Sequence, residues 1–195
     1  MPFFMNYRVG IFLLCCGIVA VACKTNKVSV NSSWRAVRAS TSTSNSADKC
    51  FLTVHDKAGL SYIYNPQLFK GDWLAHLGKT LCWDFLVLHD GGLNEPIAPR
   101  LVIYSGDPMN PTAAAVFTAS NNTAMKGQWV HVCAPIERCS GNQLPSNAQG
   151  DWTMKSGATA NDWERLLQQV SGIRFVVDVT SAPTEVFGFD NIQIR

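Results

Sequence analysis

From Lys49 onward the chain is a succession of short runs rich in β-branched and aromatic residues, each closed by a turn cluster, and this spacing points to an all-β fold. The runs cover residues 50–55, 60–64, 80–89, 100–105, 114–118, 129–134, 173–180 and 185–195. Between them stand Asp90-Gly91-Gly92, Gly106-Asp107-Pro108, Asn121-Asn122 and Ser140-Gly141-Asn142. Such residues supply the special backbone angles that reverse a chain. Eight strands of this kind predict a jelly-roll β-sandwich.

One stretch has a different period. Trp163, Leu166, Leu167 and Val170 recur at helical spacing behind Thr159, a good N-cap, with Asp162 in the first turn. Gly172 suits a C-terminal cap. A short helix over about 160–171 is expected on the rim of the sandwich, its apolar stripe serving as core.

Strand parity sorts the faces. Leu81, Trp83, Phe85 and Val87 share one side of their run, with Cys82, Asp84, Leu86 and Leu88 opposite. Ile173, Phe175, Val177 and Val179 likewise oppose Arg174, Val176 and Asp178. The more apolar set should face the core, leaving Asp84, Arg174 and Asp178 outside.

The N-terminus reads as a targeting signal. Arg8 precedes an uncharged apolar run over residues 10–22, shorter than the roughly 20 residues a membrane span needs. Ala20-x-Ala22 fits an ordinary secretory cleavage site. The AVAC at 20–23 also resembles a bacterial lipoprotein box, in which Cys23 would carry the lipid. An uncleaved anchor is the third reading. Residues 23–47 are rich in Ser, Thr and Asn without periodicity, and are expected to form a basic, flexible tether. The expected organisation is therefore a signal peptide over 1–22, a linker over 23–47 and one folded domain over 48–195.

All fourteen acidic residues lie from Asp48 onward, against eleven of the sixteen basic ones. A slightly acidic body argues against nucleic-acid binding, which needs a basic surface. In an exported chain the four body cysteines, Cys50, Cys82, Cys133 and Cys139, suggest two disulfides. Three connectivities are possible. A local Cys133–Cys139 bridge, leaving Cys50 with Cys82, is the simplest. The body has no C-x-x-C pair and its histidines are scattered, so a zinc site is not favoured.

Residues 62–85, YIYNPQLFKGDWLAHLGKTLCWDF, carry an aromatic pair, a proline, Phe-x-Gly-Asp-Trp, a glycine and a hydrophobic strand. Gln128-Trp129-Val130, Trp152, Ile173-Arg174 and a closing Phe189-Asp190-Asn191-Ile192 follow in order. This series, over about residues 48–195, resembles the laminin B (laminin domain IV) modules. The resemblance implies a galactose-binding-like jelly roll with non-catalytic roles in adhesion or glycan contact. Cys82, Cys133 and Cys139 depart from the family pattern, as does a module standing alone behind a signal. Related jelly-roll carbohydrate modules often hold a structural calcium near the last strand. Asp190, with Asp48 and Asp56 near the first strand, is the set the resemblance suggests for it, the alternative being carboxylates that cap turns.

No G-x-S-x-G, H-E-x-x-H or Gly-rich phosphate loop occurs. Asp84 and Asp178 are the one candidate carboxylate pair for glycoside hydrolysis, set against the commoner solvated or Arg174-paired role. For sugar stacking the candidates are Trp73, Trp129 and Trp152, with Asp84, Arg174 and Asp178 as polar partners; packing in the core is the competing role for each tryptophan. The expected protein is an exported, lipid-anchored, non-catalytic binding module of the cell envelope or surface, or a secreted one. Its partner would be a glycan or surface polymer. A structural role in an envelope assembly is the alternative, and a hydrolase is a third.

Overall fold

The computed structural model describes residues 34–46, 49–57, 61–155, 159–178 and 184–195. The signal over 1–22, Cys23 and Asp48 lie outside them. In chain order the strands are β1 (Arg35–Val37), β2 (Ala39–Ser46), β3 (Lys49–Asp56), β4 (Tyr62–Asn65), β5 (Lys79–Asp90), β6 (Arg100–Gly106) and β7 (Pro111–Thr118). They continue with β8 (Trp129–Ile136), β9 (Ser146–Asn147), β10 (Gly150–Met154), β11 (Gly172–Val176) and β12 (Glu185–Ile194). A seven-stranded sheet runs β1-β4-β11-β6-β7-β10-β9, and a five-stranded sheet runs β2-β3-β12-β5-β8. All the strand pairs are antiparallel. The result is the expected all-β jelly-roll sandwich, with one α-helix among the described residues, α1 (Ala160–Gln168).

The parity rule holds on both sheets. Leu81, Trp83, Phe85 and Val87 of β5 are buried against Ile173 and Phe175 of β11 in one core. Aromatic rings bridge the layers: Trp83 lies 5.5 Å from Phe175 and 6.3 Å from Phe117, and Phe175 lies 4.8 Å from Phe189. Offset and edge contacts of this kind each add about 0.5–1.5 kcal/mol beyond area burial.

The helix forms for the reasons its sequence gives. Thr159 and Asp162 close a capping box, and Trp163, Leu166 and Leu167 are buried. It ends earlier than expected, at Gln168, and Gly172 opens β11 instead of capping the helix. A Cβ on Gly172 would come within 2.7 Å of the Tyr104 hydroxyl and 2.9 Å of the Asn65 carbonyl oxygen. Glycine is required there by close sheet packing.

The tether is shorter than 23–47. From Arg35 the chain is already strand: β1 pairs β4, and β2 pairs β3 along its whole length, Ala39 opposite Asp56 to Ser46 opposite Lys49. Trp34 stacks 5.8 Å from Phe175, so the domain begins before residue 48. Strand β2 needs no apolar face of its own, because its backbone ladder is supplied by β3. Its Ser and Thr side chains also suit an exposed sheet edge.

The cysteines pair differently as well. Cys82 of β5 and Cys133 of β8 stand directly opposite and form a disulfide. Cys50 is not joined to Cys82, and Cys139 is a free thiol. The local Cys133–Cys139 bridge is not made, since extended β8 carries the chain away through Ile136 at about 3.3 Å per residue. The Cys139 thiol instead donates to the Ala160 carbonyl at the start of α1.

Candidate functional site

Two of the three candidate tryptophans belong to the core. Trp73 is 1% exposed and Trp152 3%, and their indole N–H groups donate to the carbonyls of Phe69 and Pro135. Trp73 is closed off from any ligand, and Trp152 reaches the surface only as part of the lining of a hollow beside β10. Trp129 is half-buried on the outer side of the five-stranded sheet, edge-on to Phe51 at 5.2 Å. A hollow of about 550 Å³ lies between Leu144, β10 and the start of α1, but no charged side chain lines it.

The outer face of the seven-stranded sheet holds a richer set. Register places Arg35, Tyr64, Arg174, Val102, Val116 and Thr153 in one row across six strands. By register the half-buried Tyr64 thus stands between an exposed and a buried arginine on the adjacent strands. Beside the row, Val102, Tyr104 and Ala114 form a second apolar cluster, with Val116 and Val176 packed on it. The Arg174 guanidinium lies 4.9 Å from the centre of the Tyr62 ring. Both Arg174 and the Tyr62 hydroxyl donate to the Pro108 carbonyl, which fixes the 106–111 turn over that end of the face. Burial, with the nearby Tyr64, pushes the Tyr104 phenol up to about 12. Burial raises Tyr62 as well, partly offset by Arg174. These hydroxyls stay protonated and can both donate and accept. Burial and the charges of Arg174 and Arg100 lower Lys155.

Asp178 and Asp56 meet elsewhere. Asp56 ends β3, Glu185 begins β12 beside it, and Asp178 follows β11; their carboxylate oxygens lie within 4.8 Å of one another. Glu185 is fully buried and Asp56 is 6% exposed. Asp56 Oδ1 accepts from the Lys57 amide at 2.7 Å, while its buried Oδ2 has no hydrogen-bond partner among the described residues. Burial and the charge of Asp56 raise Asp178, against the pull of Arg100. Three crowded carboxylates with an orphaned oxygen fit a hard cation such as calcium, which takes oxygens from several chain segments. Of the set suggested for calcium only Asp56 is in this cluster. Asp190 lies opposite Asp84, at a bulge in the other half of β12.

Asp84 lies on the outer face of the five-stranded sheet. Its Oδ1 is 2.6 Å from His131 Nδ1, and its other oxygen accepts from the Asn191 amide. Asp84 stands on β5 of the five-stranded sheet, whereas Asp178 follows β11 of the other sheet and belongs to a different cluster, so the hydrolytic pair is not assembled. Sequence reasoning missed Tyr104, Glu185, His131, Asn191 and Arg195. Only the alternation of Tyr62, Ile63 and Tyr64, which puts both phenols on one face, was a usable signal.

No family model matches the chain, and no curated protein does. Solved structures do. An exo-β-agarase matches 86% of this chain at a TM-score of 0.58 and 13% identity, and the chain spans only 23% of that enzyme. The family 11 carbohydrate-binding module of the cellulosomal cellulase Lic26A-Cel5E of Clostridium thermocellum matches 83% of this chain and 86% of its own length, at a TM-score of 0.51 and 15% identity. The L4b domain of human laminin α-2 is also among the neighbours, at a TM-score of 0.46 and 16% identity, over 70% of this chain and 69% of that one. At these identities the first two show the fold.

Proposed function

We propose that this chain is a non-catalytic module that binds a glycan or surface polymer through the outer face of its seven-stranded sheet. The observation that carries the reading is the Arg35–Tyr64–Arg174 row, in which register sets a half-buried tyrosine between an exposed and a buried arginine on the neighbouring strands. A sugar ring stacks on an aromatic face while planar donors take its hydroxyls. The fold likeness to a carbohydrate-binding module over most of both chains supports it.

A glycan array that includes agarose and cellulose fragments tests the reading. Binding at micromolar strength is expected, and Tyr64→Ala should weaken it about tenfold, the worth of one aromatic contact. Tyr64 is not a core residue, so the variant should keep its melting temperature. An array without signal, together with co-purification of one envelope protein, would instead favour a structural role in an envelope assembly.

Export and lipid anchoring at Cys23, on the outer membrane or cell surface, complete the proposal. The apolar run closed by AVAC supports them, and the Cys82–Cys133 bridge suits an oxidising compartment. Mass spectrometry of the mature N-terminus is expected to find lipidated Cys23. An unmodified chain beginning Lys24 or Cys23 would indicate plain secretion, and one retaining Met1 would refute export by cleavage.

Asp56, Asp178 and Glu185 would hold a structural calcium, which would offset most of their charge and tie the end of β3, the segment after β11 and the start of β12 together. Without a cation, raised Asp178 contributes stability that is full below its ordinary 3.8 and lost as pH rises through the higher folded value. At pH 7, calcium at a hundred times its Kd should add about 2.7 kcal/mol, and a chelator should remove it. Asp56→Asn should abolish the calcium-dependent rise in melting temperature. Equal melts with calcium and with chelator would exclude the site.

A further inference from the structure

The Cys82–Cys133 disulfide has neighbours that a purely structural bridge does not require. Cys133 stands on β8, the edge strand of its sheet, and is half-buried, whereas Cys82 is fully buried. Arg195 Nη2 lies 3.3 Å from Cys133 Sγ and 2.8 Å from His131 Nε2. His131 Nε2 is itself 3.4 Å from Cys133 Sγ. A guanidinium donates, so Nε2 holds a lone pair and Nδ1 carries the proton to Asp84. Asn191 holds the other oxygen of that carboxylate. On the far side the Thr80 hydroxyl is 3.2 Å from Cys82 Sγ.

A disulfide sulfur is uncharged and gains little from a guanidinium, whereas a thiolate beside Arg and His is stabilised. The Arg195 charge also disfavours a metal ion between Cys82, His131 and Cys133, although their ligand atoms lie within 4.8 Å of one another. We propose that Cys82–Cys133 is an exchangeable disulfide, a site for thiol–disulfide exchange with external thiols, in which Arg195, His131 and Asp84 hold Cys133 as a thiolate.

The exchange balances in two steps. An external thiolate attacks Cys133 Sγ, the reachable sulfur; a mixed disulfide forms there, and Cys82 leaves as a thiolate that the Thr80 hydroxyl can hydrogen-bond. A second external thiolate attacks the outer sulfur of the mixed disulfide and releases Cys133. Cys133 stays on Arg195 as a thiolate, and when protonated it can pass its proton to His131 Nε2, with Asp84 opposing the charge on the ring. Two external thiolates become one external disulfide, and the protein gains two electrons; Cys82 then takes one proton from solvent, while Cys133 stays deprotonated. The Arg195 charge favours the open form, so its equilibrium lies further towards reduction than that of an unassisted bridge.

Titration in glutathione buffers, acid-trapped and read by peptide mass, tests this. Circular dichroism of the same samples reports whether the fold persists. Expected are a glutathione adduct on Cys133 and opening within the folded protein, with Arg195→Gln shifting the midpoint about tenfold towards the disulfide, the effect of one unit of thiol acidity. Arg195 meets Thr80 through its backbone, so the substitution keeps that pairing. Cys82→Ser gives a second reading by leaving Cys133 as a thiol; its alkylation at pH 7 should slow about tenfold when Arg195→Gln is added. An adduct on Cys82, opening only with loss of the fold, or an unchanged midpoint and alkylation rate with Arg195→Gln would each overturn the proposal.

Discussion

A chain that ends at Thr184 is expected to show no cooperative thermal transition. The deleted strand, β12, is central in the five-stranded sheet, with β3 on one side and β5 on the other. It pairs β3 from Val186 to Phe189 and β5 from Glu185 to Ile194. Its removal leaves two facing rows of backbone donors and acceptors without partners, in a layer whose inner side is core. It also removes Phe187 and Phe189, both buried, and Phe187 stacks 5.3 Å from Phe85. Far-UV circular dichroism during heating is the measurement. A transition like that of the intact chain would mean that the sheet order is wrong.

The parts of this fold legible in the sequence are those in which each strand carries its own pattern. Strand β5 sets Leu81, Trp83, Phe85 and Val87 on one side and Cys82, Asp84, Leu86 and Leu88 on the other, and a period of two needs no knowledge of neighbours. Thr159 and Asp162 likewise announce the helix start by local chemistry alone. Strand β2 was illegible because nothing in ASTSTSNS alternates. Its stability lives on the backbone of β3, a tertiary effect that overrides composition. The end of the helix was misread for the same reason: Gly172 has a local role as a cap and a nonlocal one under Tyr104, and the nonlocal one prevails.

The site follows the same division. Arg174 and Asp178 were placed outside the core by parity, yet they serve different clusters, because β11 ends between them. Asp56 meets Glu185 through the pairing of His55 with Val186, a register that strand patterns do not specify. Cys133 meets Cys82 instead of Cys139 by the register of β5 on β8. Spacing along the chain favoured the local bridge, and spacing across the sheet decided the pairing. Trp73 and Trp152 were ambiguous for another reason. Tryptophan serves both cores and sugar platforms, and only burial distinguishes the two.

Phe175→Ala should destabilise the domain by about 3–5 kcal/mol, the usual range for removing a buried aromatic ring. Phe175 is fully buried on β11, and its ring lies against Trp34, Trp83 and Phe189. Trp83 and Phe189 belong to the opposite sheet, and Trp34 precedes β1, so one side chain joins both layers to the N-terminal edge. The cavity cannot close by collapse, since the surrounding rings are fixed by Phe117 on one side and Phe85 on the other. Urea titration should therefore move to a lower midpoint with an unchanged slope. Trp34→Ala tests the coupling to the edge. If Trp34 helps hold the sandwich through Phe175, the double variant should lose less than the two single losses combined. Strict additivity would detach Trp34 from the core and leave the N-terminal edge held by the β1–β4 and β2–β3 ladders alone.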